Sequence, residues 1–218
     1  MTLIHSSRLF VLGGASGIVG TLCYIITAVV PLGQTLTYTL AMAWPVLSVI
    51  FAFSLCEYIK IDRHSSANQL AFVFAVLGFA MVAAMISIQL AVRTGIEEHA
   101  ANSPENQEFL KLIRRSIRLV DMGLDVAWDL LIGTSLIFLG FALVQHKGFG
   151  TWWAVPAGLL GGLLIVLNVS TFPWPPNTQG LFDIGPAIGL FIIAVSVRLL
   201  LLGIRMKYVS TDNSNPTD

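Results

Sequence analysis

The sequence predicts an all-α membrane protein: a polytopic bundle of six transmembrane helices, plus one amphipathic interfacial helix between the third and fourth. Of the 218 residues, 56% are hydrophobic and only 11% are charged, and the mean hydropathy is +0.81. Soluble domains carry about 25% charged residues, so a cytosolic enzyme and a disordered chain are excluded. Twelve Lys and Arg balance twelve Asp and Glu, and this balance leaves no basic patch for nucleic acid.

Six separate apolar stretches are each long enough to cross a membrane, which requires about 20 residues per helix. Pro31 ends the first stretch, and Pro45 predicts a kink within the second. The whole is one domain over residues 1–207, followed by a polar tail at 208–218 that we expect to be disordered. The predicted spans cover residues 10–30, 36–59, 69–92, 124–145, 152–172 and 181–204.

The connection at 93–123 is the only long one, and its second part is amphipathic. Apolar residues recur at helical spacing over about 105–122, and basic residues occupy the other face. Such a helix either lies in the headgroup layer or continues into the fourth span as one long helix. The predicted fold takes the first option. The apolar positions are Leu110, Ile113, Ile117 and Val120, and the basic ones are Lys111, Arg114, Arg115 and Arg118.

The distribution of Lys and Arg predicts that both termini are cytoplasmic. Short cytoplasmic loops carry an excess of these residues, and the 1–2 and 5–6 connections carry none. The basic residues of segment 93–123 are the exception to this pattern. The residues on the predicted cytoplasmic side are Arg8, Lys60, Arg63, Lys147, Arg205 and Lys207.

Polar residues collect at the extracytoplasmic ends of four predicted spans. Asp125 and Asp129 are four residues apart and therefore share one face of the fourth helix. An ionisable group in hydrocarbon costs about 2.5–3.5 kcal/mol, so these aspartates predict a polar pocket, with Arg93 as a candidate counter-ion. The alternative is that they form structural hydrogen bonds between helices, worth about 0.6–2 kcal/mol each. The full set of predicted binding residues is Asp125, Asp129, Asp183, Asn168, Arg93 and Gln89.

The motifs of several known site types are absent or incomplete. Gly14-Ala15-Ser16-Gly17 matches the serine motif of rhomboid proteases, but all four histidines fall in predicted loops or at span ends. A nucleophilic serine needs a general base, such as a histidine, within hydrogen-bond reach. Cys23 and Cys56 lie in apolar runs, where free thiols act as small hydrophobic groups. No regular metal-ligand cluster of the zinc type is present. A hard-cation site formed by carboxylates and Asn168 stays open as an alternative, and the sequence leaves the cofactor unknown.

Segments of the second half resemble a family of uncharacterised bacterial six-span membrane proteins, which is grouped as a domain of unknown function. The resemblance implies the same three-plus-three arrangement of spans, with a long middle connection, and a location in the bacterial inner membrane. It implies no activity. The segments that carry the resemblance are Gly123-Leu124-Asp125-Val126-Ala127-Trp128-Asp129, Phe149-Gly150, Thr171-Phe172-Pro173, and Gly180-Leu181-Phe182-Asp183-Ile184-Gly185-Pro186.

Three classes of function fit these patterns. The first is a protein that binds or passes a small solute, an ion or a proton through the predicted pocket. The second is a membrane-embedded enzyme acting on a lipid or lipid-linked substrate, and the third is a non-catalytic membrane subunit. The expected partners are the lipid bilayer, a small solute or lipid ligand, and a second copy of the chain. Small residues at Gly13/Gly17 or Gly158/Gly162 would form the homodimer contact.

Overall fold

The computed structural model describes residues 3–102 and 107–212, and within them the side chains of residues 6–100 and 107–206. The described residues form six α-helices, each long and apolar enough to cross a membrane. The chain is therefore a polytopic membrane protein. The helices are α1 (Leu3–Val29), α2 (Gln34–Asp62), α3 (Ser66–Asn102), α4 (Gln107–Leu143), α5 (Thr151–Thr171) and α6 (Gly185–Asp212), and a short 3-10 helix (Pro176–Gln179) precedes α6.

The six helices form a ring that is open on one side. Each of the first five helices packs on its neighbour in the chain, and α1 also packs along α6, whereas α5 and α6 touch only slightly. The helices alternate in direction, so α1 begins and α6 ends at the same end of the bundle. We call this the terminal end and the opposite one the distal end.

The separate interfacial helix predicted at 105–122 is wrong, because residues 107–122 are the first part of the continuous helix α4. At a rise of 1.5 Å per residue, the 37 residues of α4 extend about 55 Å, well beyond a hydrocarbon core of about 30 Å. Gly123 is the one glycine between residue 107 and the predicted start of the fourth span at residue 124, and one glycine costs about 1 kcal/mol. Residues 105 and 106 lie outside the described residues.

Part of the apolar side of this segment is covered by α3, whereas Val120 is 54% exposed. α3 is also 37 residues long and packs along α4, and Ile96 of α3 and Leu110 of α4 are both buried. Amphipathicity here reflects helix–helix packing.

At the C-terminal end of the described residues, α6 reaches Asp212, so the first part of the predicted tail is helical. Residues 213–218 lie outside the described residues.

Two buried apolar clusters hold the ring together. One lies towards the distal end and contains Trp44, Phe79 and Ile132 from α2, α3 and α4. The other lies towards the terminal end and includes Phe10 and Leu199, from the first and last helices. Because each cluster joins at least three helices, the bundle is fixed at two levels, and the space between α1, α4, α5 and α6 at the distal end remains open.

Glycines allow the closest helix contacts. A Cβ built on Gly161 of α5 would lie 2.4 Å from the carbonyl oxygen of Gly133 in α4, and one on Gly17 would lie 2.1 Å from the Ser196 hydroxyl. The expected dimer face Gly13/Gly17 is thus occupied within the chain by α2 and α6. A Cβ on Gly158 or Gly162 would meet nothing within 4 Å, so that face stays available to the predicted homodimer.

A polar network closes the terminal end, where the sequence suggests only an ordinary solvated surface. The Asp62 carboxylate accepts a hydrogen bond from the Lys147 backbone N–H at 3.0 Å, and the Arg198 guanidinium donates two to the Gly148 carbonyl. His146 Nδ1 accepts from the Gly148 N–H at 3.0 Å. Burial lowers the pKa of His146, although Asp62 nearby opposes that shift. This network ties α2 and α6 to the α4–α5 connection.

The contact between α4 and α5 predicts that alanine substitutions at two adjacent glycines change the stability in opposite ways. Gly161→Ala is expected to destabilise the protein by about 1–3 kcal/mol, because the added methyl group meets the backbone of α4. Gly162→Ala is the matched control: its methyl group faces open space, so stability should stay constant or rise by up to about 1 kcal/mol. Unfolding in mixed detergent micelles, followed by circular dichroism, measures both. Equal stability of the two variants would contradict this packing.

Candidate functional site

A cavity of about 650 Å³ lies in the distal half of the bundle. Its walls come from α1, α2, α4, α5 and α6, and Pro175 and Pro176 of the α5–α6 connection complete them. The volume falls within the range of about 300–1,000 Å³ that is typical of small-molecule sites. The cavity lies beside the gap between α5 and α6, where the helix ring is open.

Three aspartates line this cavity at increasing depth: Asp183 is exposed, Asp125 is half-buried, and Asp129 is only 5% exposed. Asp125 and Asp129 share one face of α4, as their spacing predicts. Asp183 precedes α6, and its Oδ1 accepts the Gly185 N–H at 2.8 Å. Acidic side chains thus follow one another from the mouth of the cavity into its interior.

Asp129 is the most unusual of the three. No hydrogen bond or ion pair joins its carboxylate to any residue that the structure describes. A buried charge is normally paired or hydrogen-bonded, since removing it from water is costly. The side chain therefore supplies an unused acceptor inside the protein, at the wall of a cavity large enough for a ligand.

Positive side chains are missing from the described cavity lining, which contains neither lysine nor arginine. Arg93, the predicted counter-ion, forms an ion pair with Glu97 at 2.9 Å on its own helix. Together with Gln89 and Asp121 it lines a separate cleft of about 340 Å³ between α3 and α4. The structure thus brings together four of the predicted residues, Asp125, Asp129, Asp183 and Asn168, and places Gln89 and Arg93 elsewhere.

Asn168 contributes a further polar group from α5. Its side chain is 4% exposed, and its Nδ2 donates a hydrogen bond to the Leu164 carbonyl one turn earlier, at 3.0 Å. The amide donor is thereby engaged within the helix. The amide oxygen is left as the group that a ligand with a hydrogen-bond donor could use.

An aromatic wall, made of Tyr24, Trp44 and Trp128, was not predicted from the sequence. Tyr24 and Trp44 pack with ring centroids 4.1 Å apart, and Trp44 meets Trp128 edge-on at 6.0 Å. All three side chains line the cavity. One feature of the sequence could have indicated this wall. Tryptophans of membrane proteins concentrate at the two interfaces, whereas Trp44 lies near the middle of a predicted span.

A second, smaller cavity lies between α2, α3, α4 and α6. Its volume is about 60 Å³, and its lining is almost wholly apolar. Asn68 is a polar exception, and its Nδ2 already donates to the Cys56 carbonyl at 2.9 Å. With that amide donor satisfied and no charged residue in the described lining, this space is a packing defect of the core.

Comparison with known proteins assigns no relative: no family model matches the chain, and neither the curated proteins nor the solved structures gave a match. The resemblance to the six-span bacterial family is thus not supported by a family model. Within the described ranges, no group of three or more His, Cys, Asp or Glu residues is arranged to hold a metal ion.

The unpaired state of Asp129 predicts the effect of neutralising it. Asp129→Asn should leave the free energy of unfolding unchanged or raise it, because the substitution removes a buried charge and breaks no hydrogen bond. Asp62→Asn is the control, since it weakens the acceptor of the Lys147 N–H and should cost about 1 kcal/mol. Thermal unfolding of the purified variants measures both. If Asp129→Asn were as destabilising as Asp62→Asn, the aspartate would be a structural hydrogen-bonding residue.

Proposed function

We propose that the protein binds a small, positively charged solute in the distal cavity. The observation that carries this proposal is the carboxylate of Asp129, which is buried, unpartnered within the described residues, and part of the wall of a 650 Å³ cavity. Charges interact several times more strongly at a protein interior than in water. A cation bound there would supply the compensation that the chain itself does not provide.

The arrangement of the other carboxylates supports the same function. Asp183 at the mouth and Asp125 at intermediate depth provide negative charge along the way to Asp129. Clefts lined by one sign of charge raise the local concentration of oppositely charged solutes. A solute would thus be attracted at the distal surface and held most firmly at the deepest aspartate.

The proposal includes a location and an orientation. Lys60, Arg63, Lys147 and Arg205 lie at or near the terminal end, whereas the α1–α2 and α5–α6 connections at the distal end contain no Lys or Arg. An excess of basic residues in short loops marks the cytoplasmic side, and the five basic residues of 93–118 on α3 and α4 are the exception. Both termini would then be cytoplasmic, and the cavity would open to the extracytoplasmic side. The location in the bacterial inner membrane, which the sequence resemblance implies, is part of the proposal.

Ligand-dependent stability tests the function. Purified protein is screened by thermal unfolding against inorganic cations and organic ammonium ions, and a bound cation at 100 times its Kd should add about 2.7 kcal/mol. Asp129→Asn should remove this stabilisation. Asp121→Asn should retain it, because Asp121 lines the separate cleft between α3 and α4. Flux of the same cation in proteoliposomes then distinguishes passage across the membrane from binding alone.

One result would contradict the proposal. If no cation stabilised the wild-type protein more than it stabilised Asp129→Asn, the cavity would not be a cation site. The function would then have to be sought in the other two classes. Loss of lipid turnover in Asp129→Asn would be the signature of an enzyme, and a lowered thermal stability alone would be the signature of a structural subunit.

A further inference from the structure

We infer that the solute is an organic cation in which a positive centre, such as an ammonium or phosphonium group, is attached to a bulky apolar body. This inference rests on the proposed function and names its ligand class. It uses the size of the cavity, the chemistry of its walls and the opening between α5 and α6, none of which is needed for cation binding as such.

The size of the cavity exceeds what an inorganic ion requires. Each water molecule occupies about 30 Å³ in the liquid, so an ion with six waters takes up roughly 200 Å³. The cavity holds about 650 Å³, about three times that volume. A ligand that filled it would have the dimensions of a drug-sized organic molecule.

The walls are suited to an organic cation rather than to a metal ion. Hard metal ions take six or more oxygen ligands, whereas most residues around this cavity are apolar. Aromatic faces attract cations, and this attraction is strongest where water is excluded. Tyr24, Trp44 and Trp128 provide such faces on the same cavity as the carboxylate of Asp129.

The opening of the helix ring gives the apolar body a route from the bilayer. α5 and α6 touch only slightly. Phe182, in the connection before α6, and Leu190 of α6 line the cavity and carry exposed apolar side chains. An amphipathic cation concentrates in the bilayer with its apolar part among the lipid chains. It could therefore reach the cavity sideways, with its charge directed to Asp125 and Asp129.

Direct binding measurements test the ligand class. The probes are tetraphenylphosphonium, a bulky apolar cation, and Mn²⁺, an inorganic one, each titrated calorimetrically into the detergent-purified full-length chain. Tetraphenylphosphonium should bind saturably, and Asp129→Asn should weaken it about thirtyfold or more. Tyr24→Leu should weaken it about threefold or more, whereas Tyr24→Phe keeps the aromatic face and should bind like the wild type. Gel filtration and thermal unfolding confirm that each variant is folded.

The possible results separate the two proposals. Mn²⁺ binding that depends on Asp129, without tetraphenylphosphonium binding, would overturn the organic ligand and leave the cation site intact. Tetraphenylphosphonium binding of equal strength to wild type and Asp129→Asn would reflect partition into the micelle and would overturn the inference. If neither probe bound in an Asp129-dependent manner and the wider cation screen also failed, both proposals would be wrong.

Discussion

An unpaired carboxylate inside a membrane protein is the constraint on which the rest of this structure depends. The carboxyl group of Asp129 lies within an apolar bundle, and the described residues supply neither a cation nor a hydrogen-bond donor to it. An ionisable group at such a position costs about 2.5–3.5 kcal/mol even on the most lenient scales. The open cavity beside it is what makes the arrangement tolerable, because water or a cation can occupy that space.

The architecture keeps this cavity open. Two apolar clusters and close glycine contacts fix the helices in pairs along the ring, from α5 through α4, α3, α2 and α1 to α6. The remaining pair, α5 and α6, touches only slightly, so the ring does not close at the distal end. Close packing along the other helix pairs, together with the slight contact between α5 and α6, produces a pocket that has protein on most sides.

Much of the candidate site could be predicted from particular residues in the sequence. The spacing of Asp125 and Asp129 placed them on one helix face, and the alternating direction of the spans placed Asp183 and Asn168 at the same depth. Depth, however, does not determine the position of a residue around the bundle. Arg93 lies at a similar level but belongs to the α3–α4 cleft, where Glu97 one turn away pairs with it. The linear sequence could not distinguish a position in the α3–α4 cleft from a position in the distal cavity.

Two further differences between the predictions from sequence and the structure have similar physical causes. The periodic apolar residues near Leu110 predicted a helix correctly, but amphipathicity alone does not say whether lipid or protein covers the apolar side. The sequence patterns assigned no role to Trp44, which directly precedes the kinking Pro45. Its role in the cavity wall depends on rings contributed by α1 and α4, and those long-range contacts leave no local signature.

The most direct test of the central claim is the chemical accessibility of position 129. In a background with Cys23 and Cys56 replaced by alanine, Asp129→Cys is treated with methanethiosulfonate reagents of equal length, one carrying trimethylammonium and one carrying sulfonate. Because Asp125 and Asp183 keep the cavity negative, the cationic reagent should react about tenfold faster or more. Equal rates for the two reagents, or no reaction with either, would contradict the existence of an accessible, cation-selective cavity at this residue.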